Sequence, residues 1–147
     1  MRLKTTILLI ASLATISTIV SCSKTDITPP LQFQKQLLSG TGSYQNTQHI
    51  WQLDSTKIDG TNLTLTTAQK SYKKTFTFDG GYSDSDNNTG KWEITTLNKL
   101  KQTIIYQSIS KQDSTVYDII SINAAQMNLS LKLLNGQTAI YSFKISN

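Results

Sequence analysis

The stretch 74–94, Lys-Thr-Phe-Thr-Phe-Asp-Gly-Gly-Tyr-Ser-Asp-Ser-Asp-Asn-Asn-Thr-Gly-Lys-Trp-Glu-Ile, constrains the fold more than any other part of this chain. Phe76 and Phe78 alternate with Thr75 and Thr77, Asp79-Gly80-Gly81 supplies residues that tolerate positive φ, and after an Asp/Asn-rich segment Trp92 and Ile94 alternate with Lys91 and Glu93. Period-two alternation buries one face of a strand, and Gly, Asp and Asn are the residues that close tight turns. The pattern predicts a β-meander of three short strands and two turns.

The same texture runs from residue 50 to the end of the chain. Short alternating runs over 50–58, 61–66, 72–78, 82–84, 90–95, 103–109, 115–122, 127–134 and 138–145 are separated by turn residues, among them Asp59-Gly60 and Asn135-Gly136. Turn signals about every 8 to 12 residues mark a β-sandwich or barrel. Met127, Leu129, Leu131 and Leu133 alternate with mostly polar residues, and so do Ala139, Tyr141, Phe143 and Ile145 beyond Asn135-Gly136. Asn-Gly is the strongest two-residue hairpin signal, so these two strands are expected to pair antiparallel. Ile104-Ile105-Tyr106 is apolar on both faces and calls for a cover, a membrane or a partner. Upstream, Leu31, Phe33, Leu37 and Leu38 in a Gln/Lys background predict one or two helical turns over 31–38, stopped by Gly40 and suited to plugging one end of a barrel.

Arg2 and Lys4 precede an uncharged, largely apolar run over 7–20, which at about 14 residues is short of the roughly 20 that span a bilayer as a helix. The run ends in Ile19-Val20-Ser21-Cys22, which resembles the lipobox of bacterial lipoproteins. That resemblance implies removal of the preceding peptide, acylation of Cys22 with palmitate-type chains, and residence in the cell envelope as a lipid-anchored protein, expected at the outer membrane. Cys22 is the one cysteine, so no disulfide within the chain is possible and the core alone must hold the fold. Residues 23–30, ending in Pro29-Pro30, read as an extended tether. The expected division is a signal peptide over 1–21, a lipidated tether with a short helical segment over 22–43, and a barrel over 44–147. The formal charge of +5 includes Arg2 and Lys4, and no basic run exceeds Lys73-Lys74. Scattered lysines keep a surface soluble; they do not track the phosphates of a nucleic acid, and no nucleic-acid partner is expected.

Trp51-Gln52-Leu53 in the first strand, Thr-Phe-Thr-Phe-Asp-Gly-Gly-Tyr over 75–82 and Gly-Lys-Trp-Glu-Ile over 90–94 together resemble the lipocalin-like lipoproteins of Gram-negative bacteria. The resemblance covers most of residues 44–147. It implies an all-β, up-and-down antiparallel barrel of about eight strands, of the size that is either filled by side chains or holds one small apolar ligand. The chain departs from that family in placing His49-Ile50 before Trp51 and in having no arginine near its end to stack on that ring, which leaves open how that end is closed.

Catalytic chemistry needs converging groups, and the sequence is poor in them: one histidine, His49, one glutamate, Glu93, and no nucleophile elbow or Gly-rich phosphate loop. The chain is not expected to be an enzyme or to carry a cofactor, and strand alternation predicts no cluster of polar groups inside the barrel. Asp84, Asp86 and Asn88 begin like a calcium loop, but Thr89 stands where Gly is needed and Thr95 where a bidentate Glu is needed. They are read as a hairpin tip, the metal site being the minority reading. Asp54-Ser55-Thr56 and Asp113-Ser114-Thr115 resemble a short bacterial O-glycosylation pattern and are read as chance matches in a Ser/Thr-rich chain. Phe76, Phe78, Tyr82, Trp92, Tyr106, Tyr141 and Phe143 are the candidate lining of a ligand cavity, although the same stripes are required simply to fill a barrel. A filled or nearly filled interior is expected. Two readings of function remain: a lipid-anchored barrel that binds a small apolar ligand, and a structural or interaction lipoprotein with a packed core and a protein partner.

Overall fold

The computed structural model describes residues 30–146, apart from 44 and 46. Cys22, the lipobox and the tether lie outside the described residues. The elements are α1 (Leu31–Ser39), β1 (Gln48–Ile58), β2 (Thr61–Asn62), α2 (Thr67–Ser71), β3 (Lys73–Thr77), β4 (Gly81–Asp84), β5 (Thr89–Thr96), β6 (Lys99–Tyr106), β7 (Lys111–Ile122), β8 (Gln126–Lys132) and β9 (Thr138–Ile145). From β3 to β9 each strand pairs antiparallel with the next. β1 closes the circle, pairing with β3 through Gln48 to Gln52 and with β9 through Trp51 to Ile58. β2 is only a two-residue ladder on the far end of β1, so eight of the nine strands are the staves of a closed up-and-down barrel. Register shifts between Leu53 and Ser55, Ile94 and Thr96, and Ile119 and Ser121 bend the longer staves, as closure of a small barrel requires.

The helix expected over 31–38 is present as α1. Gly40, at φ 91°, ends it and returns its amide to Gln36 O at 2.9 Å, a backbone geometry that costs glycine little. α1 lies across one end of the barrel, with Gln34, Leu38 and Ser39 buried. Two side chains from the first stave cap carbonyls that its last turn leaves free: Trp51 Nε1 donates to Leu38 O at 2.8 Å, and His49 Nδ1 donates to Leu37 O at 2.9 Å. Gln34 locks the opposite side, its Nε2 donating to Asn98 Oδ1 at 2.7 Å and its Oε1 accepting from the Asn98 amide at 3.3 Å. Trp51 is therefore held by a helix carbonyl and the edge of His49, with ring centroids 6.0 Å apart, and it needs no arginine.

The stretch 61–66 is not a strand, as its alternation predicts, beyond Thr61–Asn62. It leads instead into α2, which the sequence reading missed. Thr66 Oγ1 accepts from the Gln69 amide at 3.2 Å while Gln69 Oε1 accepts from the Thr66 amide at 2.9 Å, a reciprocal capping box that outweighs the β propensity of the neighbouring threonines. β6 begins at Lys99 rather than 103, because Asn98 turns the chain at φ 66° and Leu100 pairs with Ile94. β7 begins at Lys111 rather than 115: residues 111–114 are polar on both faces and are strand only by pairing with β6. The β8–β9 hairpin forms as expected, but with a longer turn than two residues. Gly136 donates to Leu133 O at 2.9 Å and itself takes φ 85°, so Asn135 sits inside a four-residue turn. Gly90 shows why a small residue is needed in β5: a Cβ there would stand 2.0 Å from Thr103 O of β6.

The core has its densest part beneath α1. Trp51, Phe76, Leu38 and Leu100 are fully buried, joined by Trp92 and Ile119, and Phe76 meets Trp92 edge to face at 6.0 Å. Met127, Leu129 and Phe143 carry the core toward the other end along β8 and β9.

Candidate functional site: a polar cavity at the end opposite α1

Away from α1, the inward-facing positions change character. β3 runs toward α1, so Lys74 near its start lies deeper toward the far end than Phe76, on the same inward face. Lys74 is 6% exposed, and its Nζ donates to Oε1 of the fully buried Gln102 at 3.0 Å. Three aromatic rings surround the ammonium: Tyr117 at 5.0 Å from its centroid, Tyr82 at 5.7 Å and Phe143 at 5.8 Å. Such rings offset part of the loss of water around a buried cation. Burial still favours the neutral amine and lowers the Lys74 pKa from its ordinary 10.5 to about 8, with Asp84 pulling the other way.

Asp84 organises the rest of the network. It sits opposite Lys74 in the β3–β4 ladder. Its Oδ2 accepts from Tyr82 at 2.9 Å, Tyr72 at 3.1 Å and Asn88 Nδ2 at 3.2 Å, while its Oδ1 accepts the amides of Asp86 and Asn88, each at 3.0 Å. Both oxygens are thus engaged in folding the loop and holding two phenols. Burial pushes the hydroxyls of Tyr72, Tyr82 and Tyr117 well above their ordinary pKa; the hydrogen bond between the phenols of Tyr72 and Tyr82 works against the rise at Tyr72 and adds to it at Tyr82, and Asp84 adds to both. At the residues of the minority metal reading, Asp84, Asp86 and Asn88, the Asp84 carboxylate accepts from the Tyr72 and Tyr82 hydroxyls and from amides of its own loop. The loop is the hairpin tip between β4 and β5, with Asn87 at φ 62°.

Beside Lys74 the barrel holds a cavity of about 190 Å³, lined by Leu53, Tyr72, Lys74, Tyr117, Tyr141 and Phe143. Tyr117 and Tyr141 meet edge on at 6.4 Å and, with Tyr72, are partly exposed, forming the rim. A larger groove of about 450 Å³ lies on the outside, among Lys91, Glu93, Lys101 and Thr103. Its charges face water and Lys101 is already paired with Glu93 at 3.0 Å, so it has no enclosed wall against which a ligand would be desolvated.

The candidate lining residues separate accordingly. Tyr141 and Phe143 are on the cavity wall and Tyr82 is beside it. Phe76 and Trp92 pack beneath α1, Trp92 Nε1 donating to Thr77 O at 3.0 Å. Phe78 sits in the β3–β4 turn, 5.1 Å from Lys35 Nζ, and Tyr106 packs partly buried against the core. The expectation of no polar cluster inside the barrel is overturned by Lys74, Gln102, Tyr72, Tyr82 and Tyr117. Leu53, Tyr72, Lys74, Gln102 and Tyr117 were not foreseen as site residues. One signal was available: Lys74 and Phe76 are two apart in one strand, so a strand that buries Phe76 buries Lys74 as well. Asp54-Ser55-Thr56 and Asp113-Ser114-Thr115 both lie within strands, with Thr56 buried, Asp54 paired to Lys144 and the Ser114 hydroxyl 3.0 Å from that of Thr103. His49 is at the α1 end, away from the cavity.

The fold and this interior define a small closed antiparallel barrel with a helix over one end and a polar cavity at the other. No model of a known protein family matches the chain, and no curated protein or solved structure is significantly similar to it. No helix among the described residues is long and apolar enough to cross a membrane.

Proposed function

We propose that this protein is a lipid-anchored lipoprotein of the cell envelope, held at the outer membrane through acylated Cys22, whose lipocalin-like barrel binds a small, largely apolar ligand. The observation that carries the reading is the cavity of about 190 Å³ at the end opposite α1, walled by Leu53, Tyr117, Tyr141 and Phe143. Concave, mostly apolar sites with a few placed polar groups are the common form of small-molecule sites. A binder is favoured by the apolar wall of the cavity, while Asp84 is engaged by two phenols and its own loop and His49 is tied to the Leu37 carbonyl at the other end.

One observation favours the second reading, an interaction lipoprotein with a protein partner: Ile105 of β6 and Val116 and Ile120 of β7 are 41%, 50% and 54% exposed. Native mass spectrometry of the protein purified from its own envelope separates the two. A reproducible small-molecule adduct supports the ligand reading; a bare mass, with a cross-linked partner released by charge substitution at Val116, contradicts it. Incorporation of labelled palmitate, lost in Cys22→Ser, tests the anchor, and continued labelling of that variant contradicts it.

A further inference from the structure

The packing around Lys74 leaves buried donors without acceptors. An ammonium carries three N–H bonds, and the Lys74 Nζ contact with a hydrogen-bond acceptor is Gln102 Oε1. None of the ion pairs among the described residues includes Lys74. Asp84, the carboxylate across the ladder, spends both oxygens on Tyr72, Tyr82, Asp86 and Asn88. Gln102 accepts from Lys74, while its Nε2 is buried and has no partner. Natural interiors satisfy nearly all their buried polar groups, so an ammonium with donors to spare on a cavity wall, backed by an amide that offers it only Oε1, calls for an acceptor that the folded chain does not supply.

From this juxtaposition we infer that the cavity takes a monocarboxylate with a compact apolar body, its carboxylate on Lys74 Nζ at the cavity wall and its apolar part between Leu53, Tyr117, Tyr141 and Phe143. The inference rests on the ligand-binding reading above and names the chemical class of that ligand. A carboxylate matches the site because it is acceptor-only and carries the charge opposite to the ammonium, whose remaining N–H bonds it can take. The phenols of Tyr72 and Tyr82 are committed to Asp84, so they leave the recognition to the amine, which Gln102 holds in place. Size follows from volume. An engineered apolar cavity of 150 Å³ holds benzene, so about 190 Å³ accommodates roughly eight non-hydrogen atoms; octanoate, with ten, fills it and reaches the open rim. The groups that face Lys74 are Gln102 from β6, Tyr82 and Asp84 from β4, Tyr117 from β7 and Phe143 from β9, with Tyr72 and Tyr141 at the rim. Burial keeps the phenols of Tyr72, Tyr82, Tyr117 and Tyr141 protonated, so the titration that governs binding near pH 8 is that of Lys74 itself.

The test is calorimetric titration of the full-length protein with octanoate and with octanamide, its neutral isostere, repeated on Lys74→Met and Gln102→Leu. Octanoate is expected to bind wild type at least tenfold more tightly than octanamide at pH 7. That preference is expected to be lost in Lys74→Met, reduced in Gln102→Leu, and weakened in wild type at pH 9.5. Equal affinity for acid and amide in wild type, or a preference that survives Lys74→Met, overturns the carboxylate assignment while leaving a ligand-binding cavity in place. If neither compound nor a longer or aromatic homologue binds, the cavity holds only water, and both this inference and the ligand reading fall.

Discussion

Beneath α1 the barrel interior is carbon: Trp51, Phe76, Trp92 and Leu100 interlock, and the polar atoms present, such as the two indole nitrogens, reach backbone carbonyls. At the far end an amine and three phenols surround a cavity, with a buried amide behind the amine. The difference falls within single strands. Phe76 and Lys74 share one face of β3, and Leu100 and Gln102 share one face of β6. A closed barrel of this size thus keeps a structural half that resists change and a chemical half whose burial of polar groups stabilises it less than hydrocarbon would.

The largest effects should come from the packed end. Phe76→Ala removes a ring in contact with Trp92 and Tyr82 and is expected to cost about 3 to 5 kcal/mol in equilibrium urea unfolding. Leu53→Ala, on the cavity wall, is expected to cost about 2 kcal/mol, the low end for such a truncation, because part of its surroundings is already empty. Similar losses at both positions would erase the contrast.

Lys74→Met should act in the opposite sense, raising stability at pH 7 by roughly 1 to 2 kcal/mol, since a chain of similar volume replaces a buried charge. The pH dependence carries a sign. The folded-state pKa of Lys74 lies near 8, below the ordinary 10.5, so between these values the unfolded chain binds more protons than the folded one and wild-type stability rises with pH. The benefit is in place above pH 10.5 and is lost as pH falls through 8. Tyr72, Tyr82 and Tyr117 have raised pKa values in the fold, so above their ordinary 10.0 the unfolded chain loses protons first and stability falls. Chemical unfolding as a function of pH should therefore show a maximum near pH 10 in wild type. In Lys74→Met the rise between pH 8 and 10 should be missing. A wild-type profile flat over that interval would place the amine in water.

Smaller effects test the supports of the cavity end. Thr66→Ala removes half of the capping box that leads the chain into Tyr72, and about 1 kcal/mol should be lost in thermal melts, with Thr66→Ser restoring most of it. Glu93→Gln breaks an exposed pair with Lys101 outside the barrel, and its effect should stay below about 0.5 kcal/mol. A larger loss there would mean that the outer groove is structurally coupled to the interior.

Much of the architecture was legible in the sequence because alternation and turn chemistry act locally. The helix stopped by Gly40, the staves on either side of Asn135-Gly136 and the meander around Asp79-Gly80-Gly81 all follow from near neighbours. What was not legible depended on partners distant in sequence. Residues 111–114 become strand only through β6, and α2 required weighing one Thr-to-Gln cap against a run of threonines. The site was obscured for a related reason: polar residues were assigned to the outside by type, although the spacing from Phe76 puts Lys74 within. The aromatic stripes, read as one lining, divide between a packed end and a cavity because which mouth the helix over 31–38 closes, and so which rings it covers, depends on contacts distant in sequence such as Trp51 Nε1 to Leu38 O.

The claim that an amine is kept inside the barrel is tested most directly by NMR titration of protein labelled with ¹³C at lysine Cε. One lysine resonance should titrate near pH 8, and that resonance should be absent from Lys74→Met. A titration in which no lysine resonance moves near pH 8 would contradict it, placing the Lys74 ammonium in water and leaving the far end of the barrel without its central charge.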